Sequence, residues 1–253
     1  MAAIEIVKKI YRPTARVGKF YAAVYGGTVL LPIGNVLTAT TKITESVEKQ
    51  DDMTAMGGGT HATLRRVTGV TFEAELADLN MVNYTRAVRA TMTPEDAGTV
   101  VDAPYTATLG SLIPLPHTGV SSLVAKVGAT VGAAVVVDAA GYELLPEGVW
   151  LKEDAAGVVN ADKLWLSYSF ADQVVMEALT AAAPELYLRF AGMNEVDGGK
   201  PSVIDMWRVS QGVAKQLDLI KKGFTTLPIE GELIKDPTKE GAGISQYMRI
   251  IER

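Results

Sequence analysis

Val70-Thr71-Phe72-Glu73-Ala74-Glu75-Leu76 alternates apolar and polar residues without a break. Successive strand side chains point to opposite faces, so Val70, Phe72, Ala74 and Leu76 share one face and Thr71, Glu73 and Glu75 the other. That division belongs to a half-buried antiparallel strand. The same period recurs along the chain. Leu164–Phe170 places Leu164, Leu166, Tyr168 and Phe170 together, and Leu186–Phe190 repeats the pattern. Ser202–Val209 carries large groups on both faces, which predicts a strand covered on both sides. Leu227–Ile234 and Ile244–Ile251 read as two closing strands around the turn-rich Lys235–Gly241. Towards the N-terminus, Phe20–Tyr25 and Val36–Val47 are strand-like, with Gly26-Gly27 and Pro32 between them. The apolar run Val127–Val137 is too short to span a bilayer and reads as a buried strand pair.

One segment reads clearly as helix. Asp78 is a suitable N-cap, because its carboxylate can accept from the free N–H groups of a first turn. Leu79, Val82, Arg86 and Ala90 follow at helical spacing, and Pro94 ends the run by steering Thr93 away from helical angles. Gln173–Ala183 allows a second short helix ended by Pro184, a reading opposed by the β-branched pair Val174-Val175. Many strands and one firm helix predict a mainly β fold, an antiparallel β-sandwich or barrel with one flanking α-helix. The expected organisation is a single domain over residues 1–253. Residues 1–16 form an N-terminal arm, and the Pro/Gly-rich stretch 98–119 is a joint where an insertion is possible.

Length and composition bound the rest. The 253 residues are 48% apolar and 21% charged, which excludes wholesale disorder and leaves ample material for a core. Cysteine is absent, so disulfide frameworks, thiolate metal sites and cysteine nucleophiles are excluded. A formal charge of −5 gives no electrostatic reason to clamp nucleic acid by its phosphates. Glu5, Lys8, Lys9 and Arg12 interrupt the N-terminal apolar residues, so a Sec-type signal and membrane insertion by this chain are not expected.

Candidate chemistry is sparse. His61 and His117 have no ligand-spaced companion, and a solvated or hydrogen-bonded loop histidine is the simpler reading. Glu48, Asp51 and Asp52 lack the spacing of an EF-hand, so a solvated charge cluster is preferred to a calcium site. Gly57-Gly58-Gly59-Thr60 lacks the lysine and following helix of a phosphate loop. No catalytic residue, metal or cofactor is assigned, and the chain is not expected to be an enzyme. Trp150 and Trp165 could supply a sugar platform, against which interior packing or a subunit contact is the stronger reading. The conspicuous feature is the polar connection Glu48–Thr60, much longer than the two to five residues usual for a hairpin loop. Met53 and Met56 within it suit an adaptable contact surface, unless they fold back onto their own domain.

Gly34-Asn35-Val36, Thr41–Ser46, the loop with Gly57-Gly58, the strand Val70–Leu76 and the D-x-N-x-x-N run Asp78–Asn83 follow one another in order. Gly141–Leu144, Leu164–Phe170, Phe190–Asn194, Trp207–Val209, Leu217–Ile220 and Leu227–Leu233 continue that order. Together they resemble the bacteriophage major tail tube protein family over most of residues 17–252. The resemblance implies a structural virion protein whose hexameric rings stack into a hollow tube. The tube would be assembled in the bacterial cytoplasm and would conduct the genome during ejection. It implies partners in a tape-measure protein within the lumen and in tail terminator and distal tail or baseplate proteins, while DNA passes without specific binding. It also implies that the long loop, with Glu48, Asp51, Asp52, Met53, Met56, Gly57, Gly58 and Gly59, reaches the adjacent ring. Glu73 and Glu75 are candidates for the lumen lining, where negative charge would repel phosphates. A ring subunit of a contractile injection or secretion system is the alternative, and a β-sandwich carbohydrate-binding module a more distant one.

Overall fold

The computed structural model describes residues 12–54 and 56–253. Strand accounts for 52% of the residues and helix for 7%, so the fold is mainly β, and its sheets are antiparallel. The chain divides into two compact units, Met1–Thr91 with Glu177–Arg253 and Met92–Met176 between them.

The first unit begins with β1 (Arg16–Val24), β2 (Leu31–Pro32), β3 (Val36–Asp51) and β4 (Thr60–Leu76), followed by helix α1 (Met81–Ala87). The second unit carries β5 (Thr91–Glu95), β6 (Gly98–Thr106), β7 (Ser111–Pro114), β8 (Ser121–Val127) and β9 (Val135–Val136). It continues with β10 (Tyr142–Leu145), β11 (Gly148–Leu151), β12 (Lys163–Phe170) and β13 (Gln173–Glu177). The chain then returns to the first unit through β14 (Glu185–Asn194), β15 (Lys200–Gln211), β16 (Leu227–Leu233) and β17 (Met248–Glu252).

In the first unit the sheet order is β2-β1-β14-β15-β16-β4-β3, with β17 also paired to β15. Its inner face collects the apolar sides foreseen from alternation: Phe72, Ala74 and Leu76 from β4, and Leu186, Leu188 and Phe190 from β14. Phe20 packs between Phe72 and Phe190, with ring centroids 6.0 and 5.0 Å apart. No residue of β15 from Val203 to Gln211 is exposed, as its two-faced composition predicts. The second unit has sheets in the orders β6-β12-β8-β9 and β10-β11-β7 and a ribbon of β5 with β13. Leu164, Leu166 and Tyr168 of its central strand β12 are buried as expected.

Four expectations need correction. The helix starts later and ends earlier than its periodicity suggests. Its N-cap is Asn80, whose side-chain oxygen accepts from Asn83 N–H at 2.9 Å, not Asp78. The Asp78 carboxylate instead accepts from Asn35 N–H at 2.8 Å and closes the turn at Gly34, where φ is +97°. A Cβ at Gly34 would lie 2.6 Å from that carboxylate, so glycine is required there. At the other end, Val88 caps the helix and Arg89 adopts φ +49°. Residues 173–177 form β13 rather than a helix, in keeping with the β-branched valines. The Val127–Val137 strand pair exists, as Lys126↔Val136 and Val127↔Val135, but Val135 and Val136 are exposed because β9 is an edge strand. Lastly, stretch 98–119 supplies β6 and β7, with Pro104 and Pro114 in edge strands. Edge positions tolerate the missing N–H donor. Residues 1–11 of the expected N-terminal arm lie outside the described residues. Arg12 and Arg16 are ion-paired with Glu252 of β17.

Candidate functional site

The expected long loop Glu48–Thr60 is shorter than it reads, because Glu48–Asp51 and Thr60 belong to β3 and β4. The ladder continues from Val36↔Leu76 to Asp51↔Thr60, with register shifts at Thr44/Glu45 and Gln50/Asp51. Only Asp52–Gly59 remain as the turn, of which Ala55 lies outside the described residues. Burial ends long before the ladder does. Val70 is the last buried residue of β4 towards the tip, and every residue from Thr60 to Thr68 is exposed. On β3 the residues from Leu37 to Asp51 are exposed apart from the half-buried Ser46. The distal ribbon, Ile43–Asp51 with Thr60–Gly69, therefore stands free on both faces and reaches about 30 Å from the core at the usual strand rise. Backbone hydrogen bonds and cross-strand pairs hold it, among them Arg65 to Glu45 at 3.4 Å. Ile43, Val47, Leu64 and Val67 are exposed along it.

At the tip, Asp52 N–H donates to Gly59 O at 2.7 Å. Asp52 Oδ1 accepts from the N–H and the hydroxyl of Thr54 at 2.9 and 2.5 Å. The Thr54 hydroxyl, and then its N–H, hold the Asp52 carboxyl below its ordinary pKa, so the tip keeps this negative charge under mildly acidic conditions. Gly57 and Gly58 have φ of +103° and +65°, which accounts for glycine here by backbone conformation and not by anion binding. Met53 is 88% exposed and Met56 fully so, and neither folds back onto its own domain.

Glu73 and Glu75 lie on the outward face of β4, opposite Glu230 and Pro228 of β16, with Glu232 facing Thr71. They line a shallow groove of about 390 Å³ together with Thr38, Thr40, Lys215 and Glu230. Lys42 is 2.6 Å from Glu73, Lys215 is 2.7 Å from Glu230, and Glu75 accepts from Thr226 Oγ1 at 2.7 Å. Four carboxylates against Lys42, Lys215 and Arg89 leave this face with one net negative charge. Asp78 and Asn80 serve the fold, and so does Asn83, whose buried side-chain amide donates to Ile33 O at 2.5 Å. Asp78 and Asn83 thus fasten the start of α1 to the turn before β3, and Asn80 caps the helix.

His61 is exposed on β4. His117 is hydrogen-bonded, its Nδ1 2.9 Å from the Tyr168 hydroxyl, its Nε2 3.3 Å from Glu95 and its ring stacked on Phe170 at 3.8 Å. Burial, then the nearby Tyr105 and Glu95, push the Tyr168 hydroxyl up to about 12. It stays protonated at neutral pH and acts as a packing hydrogen bond rather than a base. No group of three or more His, Asp or Glu placed to hold a metal ion occurs among the described residues. No helix among them is long and apolar enough to cross a membrane. Trp150 is partly exposed on β11, whereas Trp165 on β12 donates to Gly128 O at 2.9 Å.

One exposed apolar group was not foreseen. Between β15 and β16, Leu219, Ile220 and Phe224 are 89%, 98% and 97% exposed. The absence of any periodicity between Gly212 and Gly223, together with the basic residues Lys215, Lys221 and Lys222, was the available signal. Residues 14–251 match the model of a family described as Protein of unknown function UCP028589. No curated protein matches the chain.

Proposed function

The chain belongs to the UCP028589 family, and we propose that it is a structural subunit that assembles with copies of itself. In this reading, hexameric rings stack into a hollow tail tube for genome passage. The observation that carries the reading is the free β3–β4 arm. A two-stranded ribbon exposed on both faces gains little burial to offset the cost of ordering its backbone. Contact with a neighbour supplies that burial, and the exposed methionines at the tip adapt to such a surface. The resemblance to tail tube proteins assigns the same segment to contact between rings. Open edges add support: among the described residues β3 has no strand on its outer side, and β2 pairs with only Tyr21 and Ala22 of β1. Closing a ring of copies removes such edges. The acidic face bearing Glu73 and Glu75 suits a lumen along which DNA slides without sticking, and the tape-measure protein would occupy that lumen before the genome does. The subunit acts without catalysis.

Negative-stain microscopy tests the proposal. Purified protein should form rings or tubes of uniform width, and deleting Met53–Gly59 should abolish stacking while the subunit stays folded. A chain that remains monomeric at high concentration, or tubes unaffected by the deletion, would overturn it.

A further inference from the structure

The arm tip and the loop Gly212–Thr226 lie at opposite ends of one ladder. β4 runs from Thr60 at the tip to Leu76 at its base, and Leu76 pairs with Leu227, the first residue of β16. Thr226, just before it, donates to Glu75. At the usual rise per residue, the 17 residues of β4 set tip and loop roughly 55 Å apart. The stem of the loop is fastened: Gly212 N–H donates to Glu230 O, and Ala214 N–H to Ala87 O, each at 2.8 Å. Ala214 and Leu217 pack on the core. Beyond Leu217 the chain turns Leu219, Ile220 and Phe224 into water, a concentration of bare apolar surface that marks an interaction site.

The two ends complement each other. The tip carries Glu48, Asp51 and Asp52 against Lys49, with Met53 and Met56 bare. The loop carries Lys221, 3.0 Å from Asp218, and Lys222, while Lys215 is held by Glu230, and its own three apolar groups are bare. We propose that the tip of one copy docks on the loop of a second copy. Met53 and Met56 meet Leu219, Ile220 and Phe224, while Asp51 and Asp52 face Lys221 and Lys222. Because donor and receiver sit at opposite ends of the same unit, the contact is heterologous and propagates head to tail. This inference rests on the self-assembly reading and names the surface that receives the arm.

The cysteine-free sequence makes cross-linking unambiguous. Met53→Cys and Phe224→Cys proteins, mixed under mild oxidation, should give a mixed disulfide dimer in excess of either homodimer. The double variant should give a ladder of multimers. Lys221→Glu with Lys222→Glu should weaken association about tenfold, and Asp51→Lys with Asp52→Lys in the partner copy should restore it. Suppose instead that wild-type protein assembles and loses assembly on deletion of Met53–Gly59, yet the mixed disulfide is absent and the charge variants behave as wild type. The receiving surface then lies elsewhere, and this inference falls while the assembly reading stands. A wild-type chain that stays monomeric and yields no mixed disulfide overturns both. Mixed disulfide from a protein that sediments as a monomer upholds the contact and overturns the tube.

Discussion

Asp205 has no exposed surface, yet it carries a carboxylate. Tyr187 donates to it at 2.6 Å and Arg249 at 2.8 Å, and Arg189 lies 3.4 Å away. Asp205 is the buried member, whereas Arg189 and Arg249 keep 36% and 55% of their side-chain surface, so Arg189→Ala with Arg249→Ala strands a buried carboxylate and should cost about 3–5 kcal/mol in urea unfolding. Asp236 is a second buried carboxyl. Burial alone would raise its pKa, but the Thr238 hydroxyl and N–H, the Tyr25 hydroxyl and nearby Lys239 outweigh that and hold it below the ordinary value. A depressed pKa contributes stability at pH above the unfolded value of about 3.9, and the contribution is lost as pH falls through the folded value. The unfolding midpoint should therefore decline below about pH 4. Asp236→Asn should lower stability at neutral pH and flatten that acid decline, which denaturant titrations across pH would reveal. The choice between Asp78 and Asn80 as helix cap also belongs to this scale. Both residue types cap well, and only the approach of Asn35 to Asp78 decides which carries the role.

Elements were legible in proportion to the asymmetry of their burial. Val70–Leu76 has one wet and one dry face, and its alternation marks a strand. Glu48–Asp51 and Thr60 belong to the same ladder but are wet on both faces, and with the turn Asp52–Gly59 they read as one polar loop. The ladder there is sustained by backbone pairing that side chains do not record. In unassembled protein, hydrogen exchange should be faster at Glu45–Gln50 than at Val70–Leu76, and assembly should protect the former. Equal protection in the free subunit would mean that the arm is already covered. In the second unit, β12 is the central strand of its sheet, and Leu166 has no exposed surface. Leu166→Ala should cost about 2–5 kcal/mol, read as accelerated exchange within Met92–Met176.

At the scale of the whole molecule, the chain leaves the first unit at Thr91 and re-enters it at Glu177. Thr91 N–H donates to Thr180 Oγ1 at 2.9 Å, and the two hydroxyls are 2.8 Å apart, so the exit and entry points are adjacent. Each unit has its own buried cluster. Replacing Met92–Met176 with a short Gly/Ser linker should leave the first unit folded and cooperative in urea, with a smaller m-value in proportion to the surface removed. Composition and local pattern determined by themselves that the protein is β-rich, antiparallel and cysteine-free. They located most strands of the first unit, β12 and the β8–β9 pair of the second, and the methionine-bearing segment at the arm tip, because alternation and turn residues act over a few neighbouring positions. Tertiary structure decided that β4 pairs with β16 across some 150 residues, that the arm extends beyond any core, and that the loop before β16 is attached at the base of β4, the end opposite the tip. Those outcomes depend on which distant strands share a ladder, and pairing energy resides in the contact between two segments rather than in either one.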